Sequence, residues 1–382
     1  MTNLDKGLKL IEKINNLGYK AYIVGGAVRD HILGYDPIDI DITTSMPIDE
    51  IKNNFKTSNS KNPYLSIKVE YLDLLFEVTE FRTDIEYKDH RHPSVKLVDS
   101  LEEDLKRRDF SINSIALDKD KNIIDKYNGI NDINNKIIRI TGDKDKRFKE
   151  DSLRILRALY FSSKLGFDIE IDTLNSMINN KNLLKDLSNE RLFEYYKKIL
   201  YEPYNNGLII LNKYDIFSDI SDYKYFINIS DKALTVEENM LLYYVKTKNM
   251  PPFTYKSILV DIKNIESLYQ NNFNNYYLYK NKYLVDKYKN LFIYLDLYDN
   301  LIFKIINMPI SNDTELKVSK KEISNYFKGK DISIKIEEVL YLILNNKLKN
   351  ERSEILTYLG VDQYEHNKCI YWFIWIYNYS YW

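Results

Sequence analysis

Near the start of the chain, Leu8, Ile11, Ile14 and Leu17 recur at three-residue steps. That spacing gathers them on one side of a helix, and Gly18 is placed to stop it. Ala21–Val24 is a short apolar run that predicts a strand, Val28–Leu33 a short helix, and Ile38–Thr43 a second strand of alternating character. Pro47 suits the first turn of the next helix, with Thr44 or Ser45 as its cap. The runs Ile67–Tyr71 and Leu74–Phe81 predict a hairpin with Asp73 near its turn. From about Phe148 onward the periodicity becomes helical and stays so. Leu153, Leu156, Ala158 and Phe161 line one stretch, and Leu192, Tyr195, Tyr196 and Ile199 another. The pattern predicts an α+β chain: a head with a small mixed sheet over 1–142, a helical neck over 143–205, and a helical body and tail over 206–382, elongated and all-α beyond the head.

Composition narrows this picture. The 382 residues are 44% hydrophobic, enough for a substantial core in two or three domains. With only 11 Gly and 8 Pro, no linker rich in either separates the halves. The net charge of −1 excludes a protein that holds nucleic acid by bulk charge, so any such contact must rest on local patches and shape. A lone cysteine, Cys369, excludes an intrachain disulfide and fits a reducing, cytoplasmic setting. Met-Thr-Asn-Leu-Asp-Lys lacks the features of a signal peptide, and no apolar run approaches the ~20 residues of a membrane span.

The densest chemistry lies in Ile23-Val-Gly25-Gly26-Ala-Val-Arg29-Asp30, followed by Asp39-Ile-Asp41. Residues two apart on a strand point to one face, so Asp39 and Asp41 would aim both carboxylates at one spot, their Cα atoms roughly 6–7 Å apart. Such a pair repels unless cations sit between its members, and Mg²⁺ prefers hard oxygen ligands completed by water and substrate phosphates. A glycine turn lets backbone N–H groups approach phosphate just upstream. Together these predict two-metal phosphoryl or nucleotidyl transfer. Glu77 shares a strand face with Thr79 and Phe81; the favoured expectation is that it orients an arginine or closes a strand edge, rather than serving as a third metal ligand.

Two further blocks suit a nucleotide. In Arg107-Arg108-Asp109-Phe110-Ser111-Ile112-Asn113 a guanidinium serves phosphate, and the carboxylate serves a ribose hydroxyl or orients the arginine. In Glu150-Asp151-Ser-Leu-Arg154-Ile-Leu-Arg157, helical spacing predicts that Asp151 and Arg154 share a face, as do Arg154 and Arg157. Arg donating to a ring nitrogen and Asp accepting from an exocyclic amine match the edge common to cytosine and adenine. Uracil and guanine present a ring N–H and a carbonyl there, so the pair rejects them.

In order and spacing these blocks resemble the class II tRNA nucleotidyltransferase and poly(A) polymerase family. The likeness runs through Leu33-Gly34-Tyr-Asp-Pro37-Ile-Asp39-Ile-Asp41-Ile-Thr43 and over about the first 200 residues, in five motifs. It implies a CCA-adding enzyme that joins CTP and ATP to the 3′ end of tRNA without a nucleic-acid template. Mg²⁺ would be held by Asp39 and Asp41. Gly26, Arg29, Arg108 and Asp109 would position the triphosphate and sugar, and Asp151, Arg154 and Arg157 would read the base. The partners implied are tRNA, through its acceptor stem and 3′ end, and the two nucleotides, with no membrane and no obligate protein partner. The likeness extends to Asp125, Gly129, Asp132 and Arg139, a linker motif between head and neck, and to Ser188, Glu190, Arg191 and Glu194, which brace the neck behind a capping serine.

Departures and alternatives follow from the same comparison. Arg82–Pro93 is expected as a flexible polar loop, and His90 and His92 as solvated parts of it. Family members with a shortened loop add only C; here it is largely intact, which favours addition of A as well. Tyr160 stands where the family often has arginine. Toward the C-terminus the resemblance thins to Lys317, Lys320, Lys321, Lys328 and Lys330, candidates for tRNA phosphates, and the aromatic run from Tyr371 reads as core packing. Enzymes that add only CC or only A, a poly(A) polymerase, and a non-catalytic RNA-binding protein on the same scaffold are the alternatives.

Overall fold

In a computed structural model of the chain, residues 1–59, 66–87, 93–220 and 226–361 are described. They fall into two compact units, one reaching Asn228 and one beginning at Ile229.

The first unit opens with helix α1 (Asn3–Asn16), whose start is held by a reciprocal pair in which the Thr2 hydroxyl accepts from the Asp5 N–H and the Asp5 carboxylate accepts from the Thr2 N–H. Its buried side chains include Leu4, Leu8, Leu10, Ile11 and Ile14, each worth roughly 1.5–3 kcal/mol when fully removed from water. Leu17, expected on this stripe, is 42% exposed because the helix stops at Asn16 and the chain turns at Gly18. Strand β1 (Ala21–Val24), helix α2 (Gly26–Ile32) and strand β2 (Asp41–Thr44) follow. Helix α3 (Ile48–Asn54) starts after Pro47, and the Ile48 N–H donates to Glu80 Oε1 (2.6 Å). Neither Thr44 nor Ser45 caps it, contrary to expectation. The Thr44 hydroxyl donates to the Lys20 carbonyl and the Ser45 hydroxyl accepts from the Lys20 N–H, tying the end of β2 to the start of β1.

Strand β3 (Lys56–Asn59) pairs with β4 (Ser66–Tyr71), and β4 with β5 (Leu74–Glu80), through a two-residue turn whose members Leu72 and Asp73 both have positive φ, as tight hairpins require. Arg82–Pro93 differs from the expected loop: strands β6 (Arg82–Tyr87) and β7 (Pro93–Leu97) form an antiparallel pair. Thr83, Ile85 and Tyr87 have the β propensity that makes this possible despite the flanking charge. His90 and His92 lie outside the described residues. After helix α4 (Leu101–Lys106), β8 (Ile115–Leu117) and β9 (Ile123–Asp125) complete a seven-stranded mixed sheet in the order β3-β4-β5-β2-β1-β8-β9. One face carries Ile23, Ile42 and Val78, all fully buried, with α1 against it. The other carries Val24 and Ala116 under Leu105 of α4.

Helix α5 (Gly129–Asn134) begins where Asp125 accepts from the N–H groups of Tyr127, Gly129 and Ile130. Strand β10 (Ile137–Ile138), helices α6 (Lys144–Glu150) and α7 (Leu153–Leu165), strand β11 (Asp168–Ile169) and helices α8 (Ile171–Asn179), α9 (Asn189–Tyr201) and α10 (Asn206–Lys213) follow. The neck is thus not purely helical, for β11 pairs in parallel with β10. Leu153, Leu156, Ala158 and Phe161 of α7 and Leu192, Tyr195, Tyr196 and Ile199 of α9 are buried as their periodicity predicts. Ser188 stands at the start of α9, but its side chain makes no cap bond to the helix.

Among its described residues the second unit has no strand. Val236–Thr247 and Lys256–Gln270 bury Met240, Leu241, Leu242, Ile258, Ile262 and Ile265, and Lys330–Leu344 packs Val339, Leu340, Ile343 and Leu344 with Ile310, Val318, Ile323 and Ile355. The aromatic run from Tyr371 and Cys369 lie outside the described residues. No described helix is long and apolar enough to cross a membrane.

Candidate active site

The site begins where β1 ends. Gly25 turns the chain from β1 into α2 with φ +74 and ψ −136, a conformation that side-chain-bearing residues rarely adopt. A Cβ placed there would lie 3.1 Å from Arg108 Nη1 and 3.8 Å from Asp41 Oδ2. The missing side chain therefore keeps open a gap bordered by one guanidinium and one carboxylate. Gly26 opens α2, whose first N–H groups have no helical carbonyl to bond. Arg29, on the same helix, is 3% exposed. It donates to Asp30 Oδ1 through Nε and Nη2 and to Asn113 Oδ1 through Nη1 (2.7 Å), and its guanidinium stacks 5.3 Å from the Phe161 ring centre. The arginine thereby braces α2 against the turn over Ser111–Asn113.

Asp39 and Asp41 are not both on a strand. β2 starts at Asp41, paired with Val24, and Asp39 sits in a bend before it. The ladder stops there because Val24 is the last residue of β1 before the Gly25 turn, so Asp39 has no backbone partner. Asp41 instead stands in register with Glu77 on β5, and Glu77 with Lys68 on β4, which sets the three in one row on one face. Glu77 Oε1 accepts from the Ser66 hydroxyl (2.8 Å). Its place beside Asp41 is a strand-pairing fact that local sequence did not reveal. Although Asp41 reaches solvent, burial by surrounding protein atoms pushes its carboxyl above the usual carboxylate range. The Arg108 guanidinium opposes this, and the Glu77 and Asp39 carboxylates add to it. Among the described residues neither the Asp39 nor the Asp41 carboxylate has a hydrogen bond or ion pair. Their oxygens are hard donors in a site of accumulating negative charge, so the residues present fit a divalent cation. No group of three or more metal-ligating side chains is preassembled among the described residues.

The arginine block lies opposite. Asp104, fully buried, bridges Arg107 (2.9 Å) and Arg108 (3.1 Å). Burial alone would raise its carboxyl, but Arg108 and Arg107 hold it below the usual range. Arg108 keeps a buried Nε–H without a partner. Asp109 is enclosed: it accepts from the Phe110 N–H, from Asn113 Nδ2 (3.1 Å), and from Arg157 through Nε (2.6 Å) and Nη2 (2.5 Å). Burial raises its carboxyl and Arg157 more than offsets that, while Asp109 in turn raises Arg157 further above its already high value. Of the two roles foreseen for Asp109, orienting an arginine is the one its contacts fill, and the arginine is Arg157 rather than a neighbour in sequence.

Asp151 and Arg154 also depart from the expected helix. Asp151 is the residue that ends α6, with extended backbone, and Arg154 belongs to α7. The Asp151 carboxylate accepts from the Leu153 N–H (3.0 Å), the local competition that makes Asp a helix-end residue rather than a helix-interior one. Arg154 is 5% exposed and donates through Nη1 to the Arg147 carbonyl (2.6 Å) and to Glu150 (3.3 Å). Glu150 also accepts from Arg147 Nη1 (2.7 Å), and Arg147 Nη2 donates to the carbonyls of Arg107 and Arg108. The sequence reading missed Arg147, and with it Asn113, Asp30 and Phe161. The density of charge in Lys144–Arg157 hinted at Arg147, whereas Asp30 and Asn113 stood in the singled-out blocks without a role of their own and Phe161 only as a core residue. Asp132 accepts from Ser111 (2.6 Å) and Arg139 (3.1 Å), so the linker motif anchors the back of the same turn.

A family profile described as the poly(A) polymerase head domain matches residues 21–139, and one described as a probable RNA and SrmB binding site of polymerase A matches residues 166–220. The CCA-adding enzyme of Geobacillus thermodenitrificans is 46% identical over 201 residues, 52% of this chain and 50% of that one. The CCA-adding enzyme of Streptococcus mutans is 43% identical over 226 residues, 56% of this chain and 55% of that one. The chain thus spans about half the length of the curated relatives it matches. Among solved structures, the Bacillus stearothermophilus CCA-adding enzyme in complex with CTP superposes with a TM-score of 0.73 at 27% identity, covering 96% of this chain and all of that one. The Thermotoga maritima CCA-adding enzyme complexed with tRNA shares the fold, with a TM-score of 0.60 at 18% identity, covering 94% of each chain. The Gly25 turn, the Asp41 row and the Arg107–Asp109 block all fall within residues 21–139, the stretch that matches the poly(A) polymerase head domain, and this part of the chain is similar to CCA-adding enzymes.

Proposed function

We propose that the chain is a CCA-adding tRNA nucleotidyltransferase. It transfers CMP and AMP from CTP and ATP to the tRNA 3′ end without a nucleic-acid template. The carrying observation is the gap at Gly25, edged by the Arg108 guanidinium on one side and Asp41 on the other. An unpaired buried N–H on Arg108 suits a phosphate, and unpartnered carboxylates suit divalent cations. The relatives' names and the CTP bound by the B. stearothermophilus structure support the same substrates.

In the reaction the primer 3′-oxygen attacks the α-phosphorus, the bond to the bridging oxygen of the β-phosphate breaks, and pyrophosphate leaves. Asp39 and Asp41 would hold Mg²⁺, which when bound would acidify the 3′-hydroxyl and neutralise charge on the leaving group. Arg108 grips the triphosphate. Gly26 presents backbone N–H groups to it, and Arg29 and Asn113 keep the turn in place. Asp109 fixes Arg157, and Asp151 and Arg154 at the α6–α7 joint present one acceptor and one set of donors to the C or A edge. The helical remainder reads tRNA by shape and backbone, as RNA duplexes are usually read. Lys317, Lys320, Lys321, Lys328 and Lys330 are exposed, and none has an ion pair among the described residues, which suits a phosphate-facing role. The reading places the protein in the cytoplasm with its tRNA.

The test is the product ladder on a tRNA lacking its CCA end, with CTP, ATP and UTP supplied separately and together. Addition that ends after three nucleotides supports the reading. A stop after two, a single A, or a long A tail replaces it with one of the family alternatives. Asp39→Ala or Asp41→Ala should abolish incorporation while tRNA binding persists; near-normal activity in either would overturn the metal assignment. Asp151→Ala should still transfer, more slowly, and admit UTP or GTP. Each lost charge-assisted hydrogen bond is worth roughly 1.5–3 kcal/mol, about ten- to a hundredfold in discrimination. An unchanged preference for CTP and ATP would make Asp151 a helix-end residue only.

A further inference from the structure

Tyr160 interrupts the row of arginines on α7, and its surroundings give it a use. It follows Arg157 by three residues and precedes Lys164 by four, so the three share one side of the helix. The row is about 10 Å long at helical rise. Tyr160 is half-buried, meets the Tyr195 ring edge-on at 6.3 Å, and has the Lys164 and Lys198 ammonium groups 5.7 and 5.9 Å from its ring centre. Tyr195, buried beneath, has its hydroxyl 3.4 Å from Arg157 Nη1, and Lys198 stands 4.8 Å over its ring. Lys198 is also bound by Glu194 (2.8 Å), which Arg191 shares, so its ammonium is held at the surface beside Tyr160. Beyond Lys164 the exposed Tyr204 rests its ring on Gly166. One end of this strip is thus Arg157, anchored on Asp109 beside Arg108, and the rest alternates aromatic and cationic groups away from the nucleotide site.

The geometry points to this strip as a track for single-stranded RNA just upstream of the reacting 3′ end, with a nucleobase stacked on Tyr160 and backbone phosphates on Lys164 and Lys198. Alternating rings and cations hold unpaired strands in this way, because every base has a π-face and every linkage a charge. With a net charge of −1 the chain has no general attraction for RNA, so a local strip of this kind is needed. The inference rests on the nucleotidyltransferase reading above for the identity of the strand but not for its binding.

The experiment measures fluorescence anisotropy of a 5′-labelled single-stranded RNA ending in CC, titrated with the full-length protein without nucleotide over a range of salt. Tyr160→Ala should weaken binding roughly five- to a hundredfold, and Tyr160→Trp should restore it. The double variant Lys164→Ala/Lys198→Ala removes one half-buried and one exposed cation, and should lower the salt-dependence slope by about 1.4. CTP affinity measured without RNA should be unchanged in all three. Equal RNA affinity and slope in the alanine variants would overturn the track, even if the wild type adds nucleotides normally. A wild type that binds the RNA through these residues but adds no nucleotide to tRNA would leave the track standing and overturn the nucleotidyltransferase reading instead.

Discussion

Two arginines act in this site through other residues. Arg147 donates to Glu150 and to the carbonyls of Arg107 and Arg108, so it fastens the triphosphate-side turn to the helix joint that carries Asp151 and Arg154. Arg147→Ala should cost about 2–3 kcal/mol, from the loss of charge-assisted bonds, read as a lower urea midpoint at unchanged slope. It should also raise KM for CTP and ATP more than it lowers kcat, and Arg147→Lys, which cannot span both carbonyls and Glu150, should recover little of that. Arg157 gives a pH signature through its partner. Burial raises the Asp109 carboxyl, but Arg157, Asn113 and the Phe110 N–H together hold it below its usual range. A folded-state pKa below the unfolded value of ~3.9 contributes stability that is complete above that value and is lost as pH falls through the folded pKa. Asp109→Asn should therefore melt well below the wild type at pH 7, and the difference should shrink as the pH is taken below about 4. A gap in melting temperature that stays constant to pH 2.5 would show that the charge on Asp109 is not what stabilises this joint.

At the scale of elements, two glycines matter for opposite reasons, one where helices meet and one where side chains line a gap. α10 lies on α7 at Gly207, where a Cβ would stand 2.0 Å from the Leu159 carbonyl oxygen and 2.6 Å from the Ser163 hydroxyl. Gly207→Ala must push α10 off α7, and overpacking of that kind costs about 1–3 kcal/mol or more. Thermal unfolding should shift down while the isolated metal and triphosphate chemistry is unaffected, so kcat at low temperature should change little. Gly25→Ala should do the reverse: a small loss of stability and a large loss of incorporation, because the new Cβ fills the gap between Arg108 and Asp41 and the backbone there has φ +74. Pairing between strands sets the other local outcome. Glu77 joins Asp41 because β5 runs parallel to β2 in a register that matches the two residues, and that contact spans a sequence separation no local pattern encodes.

At the scale of the whole molecule, the first compact unit reaches Asn228 and includes the segment after α9. Phe226 is fully buried and meets the Tyr196 ring edge-on at 5.3 Å, and Ile216 and Phe217 are buried as well. A fragment ending near residue 205 would strip α10 and these aromatics from α7 and α9. We expect that fragment to aggregate or melt early, and a fragment ending at Asn228 to unfold cooperatively by circular dichroism while losing tRNA affinity and most turnover on tRNA. If the 1–228 fragment adds CCA as efficiently as the full chain, the second unit does not hold tRNA.

Sequence alone determined much of this protein. Periodicity located α1, β1, the hairpin of β4 and β5, and the apolar stripes of α7 and α9, because each depends on side chains a few residues apart facing one way. The order of glycine turn, paired aspartates, arginine block and acidic–basic motif pointed to the nucleotidyl transfer proposed above, since those residue types at those spacings have few other uses. Other features were decided only when distant segments met. β2 begins at Asp41 because β1 runs out of backbone to pair with at Val24. Arg147 reaches the carbonyls of Arg107 and Arg108, 40 and 39 residues back along the chain. Asp109 answers to Arg157, 48 residues away, rather than to Arg108 beside it. In each case a backbone or charged group was satisfied by whichever partner the packed core brought within 3 Å or so, and hydrogen bonds fall off too steeply with distance and angle for a linear pattern to specify that partner.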